Sequence, residues 1–247
     1  MKCIERRTAS SITKPGSVAT FSTSAATGRS HWWWAVATIV LLGGAVFAGL
    51  GAHRSATAPD EYLPPAAAPM PGGDLDDVRR HVADSPTAPD PAQMRADTVV
   101  IPDLRINAPM VSVGVRQSDV EVPFDAHKVG VYDGAAPLTA SRGTTTLVSH
   151  VTNGTVHGVF YPLAGTTPGM TIWTKDHRHD PQRWVVREVT TYPREELPEQ
   201  LFRRAGARRL VLITCAGEVT RVGSARHYAD NLVVVAVPPT PHTSTSS

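Results

Sequence analysis

LVLITCAGEV, Leu210–Val219, is the stretch whose reading decides the fold. Its first residues are an uncharged aliphatic run too short for an ordinary helix, and the run ends at Thr214-Cys215 before passing into Ala-Gly-Glu, which reads as a buried strand with a turn behind it. Runs of the same kind recur outward from it in both directions: TVVIP, APMVSVGV, VGVYDG, TTTLVSHV, MTIWTK, RWVVREVTTY and NLVVVAV, each broken by Gly, Pro, Asn or Asp. Many short strands with turn signals between them make an all-β sandwich or barrel. Helical pattern is sparse, confined to HGVFYPL near Val159 and REELPEQLFRR near Leu201. This β-rich texture spans residues 98–238, about 140 residues, which suffices for a single buried core.

The rest of the chain is segmented. Residues 1–31 are rich in Ser, Thr and Ala without apolar periodicity, the composition of a disordered tail. Residues 32–52, WWWAVATIVLLGGAVFAGLGA, carry no charge. At about 1.5 Å per helical residue they reach across a hydrocarbon core of roughly 30 Å, so one transmembrane helix is expected. Trp32, Trp33 and Trp34 suit a membrane interface, and Lys2, Arg6, Arg7, Lys14 and Arg29 precede the span. The positive-inside rule then places the N-terminus in the cytoplasm and everything beyond residue 52 outside the cell membrane. A cleaved signal peptide is the competing reading, but its apolar region is ordinarily shorter, about 7–15 residues. Residues 53–97 are rich in Pro and Ala, an extended extracellular spacer in which DLDDVRRHVA, Asp74–Ala83, is a short helix candidate. Residues 239–247 form a polar tail.

Composition excludes little, but the formal net charge of +2 from 24 basic and 22 acidic residues gives no field for nucleic acid, and no phosphate-binding loop is visible. The two cysteines, Cys3 and Cys215, fall on opposite sides of the expected span, which excludes an intrachain disulfide if that span is real. Cys215 is then either a packed small residue or a nucleophile. Its place at a strand end, where loops let a substrate approach, favours reactivity. A reactive cysteine needs an imidazole or a cation close by.

Among ten histidines, His150 stands out because it ends the strand TTTLVSH as Cys215 ends its own. His157 is the fallback; His127, His177, His179 and His227 sit in polar or turn-like context. Arg221 and Arg226 lie between the cysteine strand and the last strand and are candidates to stabilise an oxyanion. No tight carboxylate cluster or convincing ligand spacing marks a metal site, so no metal and no cofactor is expected.

His at the end of one strand, Thr-Cys at the end of a later one and an Arg before the closing strand, behind an N-terminal anchor, resemble the sortases. The ordered series VVIPDLRINAPMVSVGV, VEVP, VGVYDGA, TTLVSHV, VHGVFYPLAGTTPGMTIWT, RWVVREVTTYPREELP, LVLITCAG and HYADNLVVVAV is similar to the class F sortases of actinobacteria. The resemblance implies a closed barrel of about eight strands with short helices. It also implies a membrane-anchored cysteine transpeptidase that cleaves an LPxTG-type sorting signal through a thioacyl enzyme and passes the protein to an amine of a peptidoglycan precursor. Cys215 would be the nucleophile, His150 the acid and base, Arg226 the oxyanion or substrate-backbone partner with Arg221 as alternative, and Thr214 an additional donor. Apolar barrel-surface residues and the loop after Tyr192 would take the Leu-Pro end of the signal. Two departures from the family pattern stand out: Ser149 replaces the usual Gly before the histidine, and ADN occupies the start of the last strand where many sortases carry the arginine. The competing reading is a noncatalytic tethered β module that binds wall polymer or a partner protein. An L,D-type cysteine transpeptidase expects His-Gly-Cys at the nucleophile, where this chain has Ile-Thr-Cys.

Overall fold

The computed structural model describes residues 75–88, 90–116, 119–222 and 225–240, with residues 221, 222, 225 and 226 described by their backbone alone. The membrane span expected at residues 32–52 and both tails lie outside the described residues. Helix α1 (Leu75–Asp84) precedes twelve strands: β1 (Thr98–Ile101), β2 (Ile106–Val113), β3 (Val115–Arg116), β4 (Asp119–Val120), β5 (Val129–Tyr132), β6 (Thr144–Val148), β7 (Thr152–Asn153), β8 (Val156–His157), β9 (Thr171–Lys175), β10 (Gln182–Pro193), β11 (Arg209–Val222) and β12 (Ala225–Val237). Eight of them close a barrel in the order β1-β2-β5-β6-β11-β12-β10-β9, while β3-β4 and β7-β8 are small separate hairpins. The all-β reading and the closed barrel hold. The two helical candidates shrink to 3-10 turns, Tyr161–Gly165 and Glu199–Phe202, because prolines 162 and 198 break any longer helix at its start.

Strand β11 explains why LVLITC is apolar throughout rather than alternating. Leu210 and Leu212 point into the barrel beside Leu147, Trp184, Leu232 and Val234. Val211, Ile213 and Cys215 point outward, yet Leu197, Leu201 and Phe202 of the β10–β11 connection cover them as a second core. A strand covered on both faces needs no polar side. Its neighbour β6 runs parallel to it, with Thr144 beside Arg209 and Val148 beside Ile213. A parallel pair requires a long crossover, and residues 149–208 supply it.

Two fixtures set the frame. Trp184 is buried in the barrel and donates its indole N–H to Thr174 Oγ1 at 2.9 Å. Arg208 lies over that ring, 4.8 Å from its centre, and donates to Gly143 O, Thr145 Oγ1, Pro137 O and Leu138 O, pinning the loop before β6. Burial draws its pKa down to about 10, still a cation at neutral pH. Within the stretch read as a spacer, α1 buries Val78 and joins Asp77 to Tyr161. The ordered part of the chain thus starts upstream of β1.

Candidate active site

The site is set by where β6 and β11 stop pairing. Their parallel register ends at Val148–Ile213, two residues before His150 on one segment and Cys215 on the other. Cys215 shares the outer cluster of Ile213, and His150 lies just past the end of β6. Both are buried, His150 at 8% and Cys215 at 4% exposure.

The strand ends are tied to each other between these two residues. Thr214 Oγ1 donates to Ser149 O at 2.9 Å, and Ser149 N donates to Ile213 O at 3.3 Å. Ser149 Oγ in turn donates to Lys128 O at 2.8 Å, fastening the His150 end to β5. Thr214 was expected to lend a donor to the chemistry; its hydroxyl is committed to the strand tie instead. Ser149, in place of glycine, adds a bond that a glycine cannot make.

His150 is held from several sides. Its carbonyl accepts from Phe160 N at 3.1 Å, and Gly158 packs directly against its backbone. A Cβ on Gly158 would stand 2.2 Å from that carbonyl oxygen, so only glycine fits there unmoved. Burial lowers the His150 pKa below its ordinary 6.5, against the opposing pull of a hydrogen bond to the Pro123 carbonyl. At neutral pH the ring is therefore mainly the neutral imidazole, with one nitrogen donating to the Pro123 carbonyl.

Just past Cys215 the β11–β12 ladder carries a bulge between Ala216 and Val219. Gly217 sits in it at φ +80°, and a Cβ there would meet the Asp230 carboxylate at 2.3 Å. The extra residue bends β11 away from the barrel rim at the cysteine. The expectation that Cys215 has no intrachain partner rests on the span at residues 32–52, which lies outside the described residues. The only other cysteine of the sequence, Cys3, lies outside the described residues.

The remaining candidates fall elsewhere. Arg221 and Arg226 are cross-strand partners near the outer end of the β11–β12 hairpin. Cys215 pairs with Asn231, five residues from Arg226, so about 17 Å of strand separates that arginine from the cysteine row. The register brings neither arginine to Cys215. His157 stacks on Tyr161 at 3.8 Å and meets His81 at 3.4 Å, which makes it part of the α1 dock. His179 Nδ1 contacts Asp176 at 2.9 Å and His177 lies 3.6 Å from Asp97, both in exposed loops. Among the described residues no three His, Cys, Asp or Glu side chains gather as metal ligands. A cavity of about 490 Å³ lies between α1 and the barrel, lined by Val78, Leu104, Met170 and Val189, and includes neither His150 nor Cys215.

His150 just past the end of β6 and Cys215 in the middle of β11, each two residues beyond the last parallel pair of these neighbouring barrel strands, are the candidate histidine and cysteine. A family model described as the sortase domain matches residues 99–239, more than half of the chain. The chain belongs to the sortase family. Sortases are cysteine transpeptidases. No curated protein matches this sortase. Among solved structures it is similar to sortase C-1 from Actinomyces oris, with 18% identity over 67% of this chain and 96% of that one and a TM-score of 0.45. It is similar also to Listeria monocytogenes sortase A, with 16% identity over 58% and 86% of the two chains and a TM-score of 0.42. The sortase D5 transpeptidase of Clostridium perfringens matches at 10% identity over 68% and 90%, with a TM-score of 0.43.

Sequence reasoning missed the residues across from the cysteine. Asn231 pairs with Cys215 on β12, and Tyr192 pairs with Asn231 on β10. Tyr192 ends the run RWVVREVTTY, and the strand carries one residue further, to Pro193. Nothing in a single sequence states that Tyr192 and Cys215 occupy the same row of a sheet.

Proposed function

We propose that this sortase is a membrane-anchored enzyme of the class F type, which cleaves an LPxTG-type sorting signal and joins the protein to an amine of the peptidoglycan precursor outside the cell. The observation that carries the reading is the parallel register of β6 and β11, whose last pair stands two residues before both His150 and Cys215, within a sortase domain. The uncharged residues 32–52, with the cationic segment before them, support the anchor and its orientation.

The chemistry follows from the resting states. With Cys215 reduced, the neutral His150 ring takes the thiol proton as sulfur attacks the carbonyl carbon of the signal threonine, forming a C–S bond and a tetrahedral oxyanion. Collapse of that oxyanion breaks the C–N bond, and His150 gives its proton to the departing amine. The acceptor amine then attacks the thioester and yields a proton to His150. The C–S bond breaks and the thiol is restored. Burial suits His150 to this cycle because a pKa held below 6.5 keeps the ring ready to accept. The signal would approach over the outward face of the barrel, past Tyr192.

The test is to incubate the reduced full-length chain with a library of fluorogenic sorting peptides and an amine. Turnover of at least one peptide, abolished by Cys215→Ala, is expected. A noncatalytic wall-binding module would bind its ligand equally well with either residue at 215, and no Cys215-dependent turnover of any peptide overturns the assignment.

A further inference from the structure

Three buried polar atoms with no partner among the described residues gather on one side of the cysteine: Tyr192 Oη, Arg194 Nε and Asn231 Oδ1. Native proteins leave few buried polar groups unpaired, and several at once call for a ligand. Their positions are tied by register. Cys215 pairs with Asn231, Asn231 pairs with Tyr192, and the next bond of that ladder runs from Arg194 N to Ala229 O at 3.0 Å. Alternation places Arg194 on the face of Tyr192, and Ala229 on the face of Asn231. Tyr192 and Cys215 belong to the same outer cluster, so that face is the one the nucleophile occupies.

Ala229 is exposed and presents only a methyl group. It stands on β12 between Arg194 and the cysteine strand. Arg194 lies two strands over and two residues along from Cys215, a separation of about 12 Å between Cα atoms. An extended arginine side chain crosses most of that distance. The backbone beneath it is braced, since Asn231 Nδ2 donates to Arg194 O at 3.2 Å. That bond uses the amide nitrogen of Asn231 and leaves its buried oxygen as an acceptor with no partner among the described residues. Burial and the nearby Glu188 carboxylate raise the Tyr192 pKa to about 12, so its hydroxyl stays a donor. Among the described residues, Arg194 makes no ion pair.

We infer that Arg194, reaching over Ala229, is the arginine that serves Cys215 in this sortase, and that with Tyr192 and Asn231 it forms a polar subsite for the acyl carbonyl and adjoining peptide backbone of the substrate. Arg194 donates to the carbonyl oxygen as it becomes the oxyanion, and Asn231 Oδ1 accepts a peptide N–H. The inference rests on the transpeptidase reading above. It moves the cationic role from the hairpin arginines 221 and 226 to β10.

The experiment uses the full-length chain carrying Cys3→Ser, reduced, with Arg194→Met, Arg194→Gln and Arg226→Ala compared. Expected for Arg194→Met is a fall in kcat/KM of about 10²-fold or more against sorting peptides. The pH midpoint of Cys215 alkylation by iodoacetamide should rise by about one unit as the cation is lost. Arg226→Ala should leave both within about twofold, or a tenth of a unit, of the parent. Arg194→Gln replaces Arg194→Met if the latter does not fold, with the same expectations. Parent-like kcat/KM and midpoint in the Arg194 variants overturn the inference, as does an Arg226→Ala variant that alone shows the loss. A parent that turns over no sorting peptide overturns the transpeptidase reading instead, and the alkylation midpoint then decides the place of Arg194.

Discussion

Gly158→Ala is a test of how His150 is held, because the contact is with backbone and cannot be relieved by a rotamer change. A Cβ at position 158 would stand 2.2 Å from His150 O, 2.7 Å from its carbonyl carbon and 2.8 Å from its Cβ. Gly158 is not among the glycines with positive φ, so alanine is admissible in its own backbone and the whole effect is steric. Restoring ordinary van der Waals distance takes about 1 Å of relative movement. The bonds Gly158 N to Val151 O and Phe160 N to His150 O, at 2.9 and 3.1 Å, resist it from the loop side, and the Ser149–Lys128 bond resists it from the strand side. Overpacking of this kind costs about 1–3 kcal/mol in stability. A misplacement of about 1 Å at an acid–base residue lowers turnover by about 10²-fold. The assay is kcat/KM for a sorting peptide, measured beside the rate of Cys215 alkylation in the reduced full-length chain and the urea-unfolding midpoint. We expect kcat/KM to collapse while Cys215 still alkylates and the chain still unfolds cooperatively. A Gly158→Ala enzyme with wild-type kcat/KM refutes the reasoning, since His150 would then either not be the acid–base group or not be held by this contact.

Two further outcomes follow from the same geometry. Thr214→Val removes the hydroxyl that ties β11 to Ser149 O and leaves that buried carbonyl unpaired, which costs about 1–3 kcal/mol and should appear as a lower urea midpoint; an unchanged midpoint would show that the tie is dispensable. His150 is lowered by burial, so the unfolded chain binds the proton more readily than the folded one just below pH 6.5; the stability His150 allows is full above that value and is lost as pH falls beneath it. Urea midpoints at pH 7.5 and 5 should therefore diverge more for the parent than for His150→Gln. Equal divergence would place the pH sensitivity elsewhere, His81 being another histidine that burial lowers.

Much of the fold was legible because strand signals are local. Each apolar β-branched run and each turn residue acts within a few positions, and the eight barrel strands fall on the runs that the sequence displays. His150 and Cys215 stood out as candidates for a related reason: a polar or thiol residue that ends an apolar run is visible without knowing its neighbours. The distances of the arginines from Cys215 were not legible. Arg221 and Arg226 are close to Cys215 in the sequence, but an antiparallel hairpin carries nearby residues away from each other at about 3.4 Å per residue. Arg194, 21 positions before the cysteine, is carried back toward it by the β10–β12 pairing.

The sequence by itself determined an all-β domain, a cysteine and a histidine that close apolar runs, and the uncharged segment that precedes the domain, since these depend on composition and short-range pattern. The tertiary structure decided which residues share a row with Cys215, that Thr214 ties β11 to Ser149, and that Gly158 packs against the His150 backbone. Those are matters of register and close approach between segments far apart in the chain, and a period of two along each strand says nothing about which strand lies beside it.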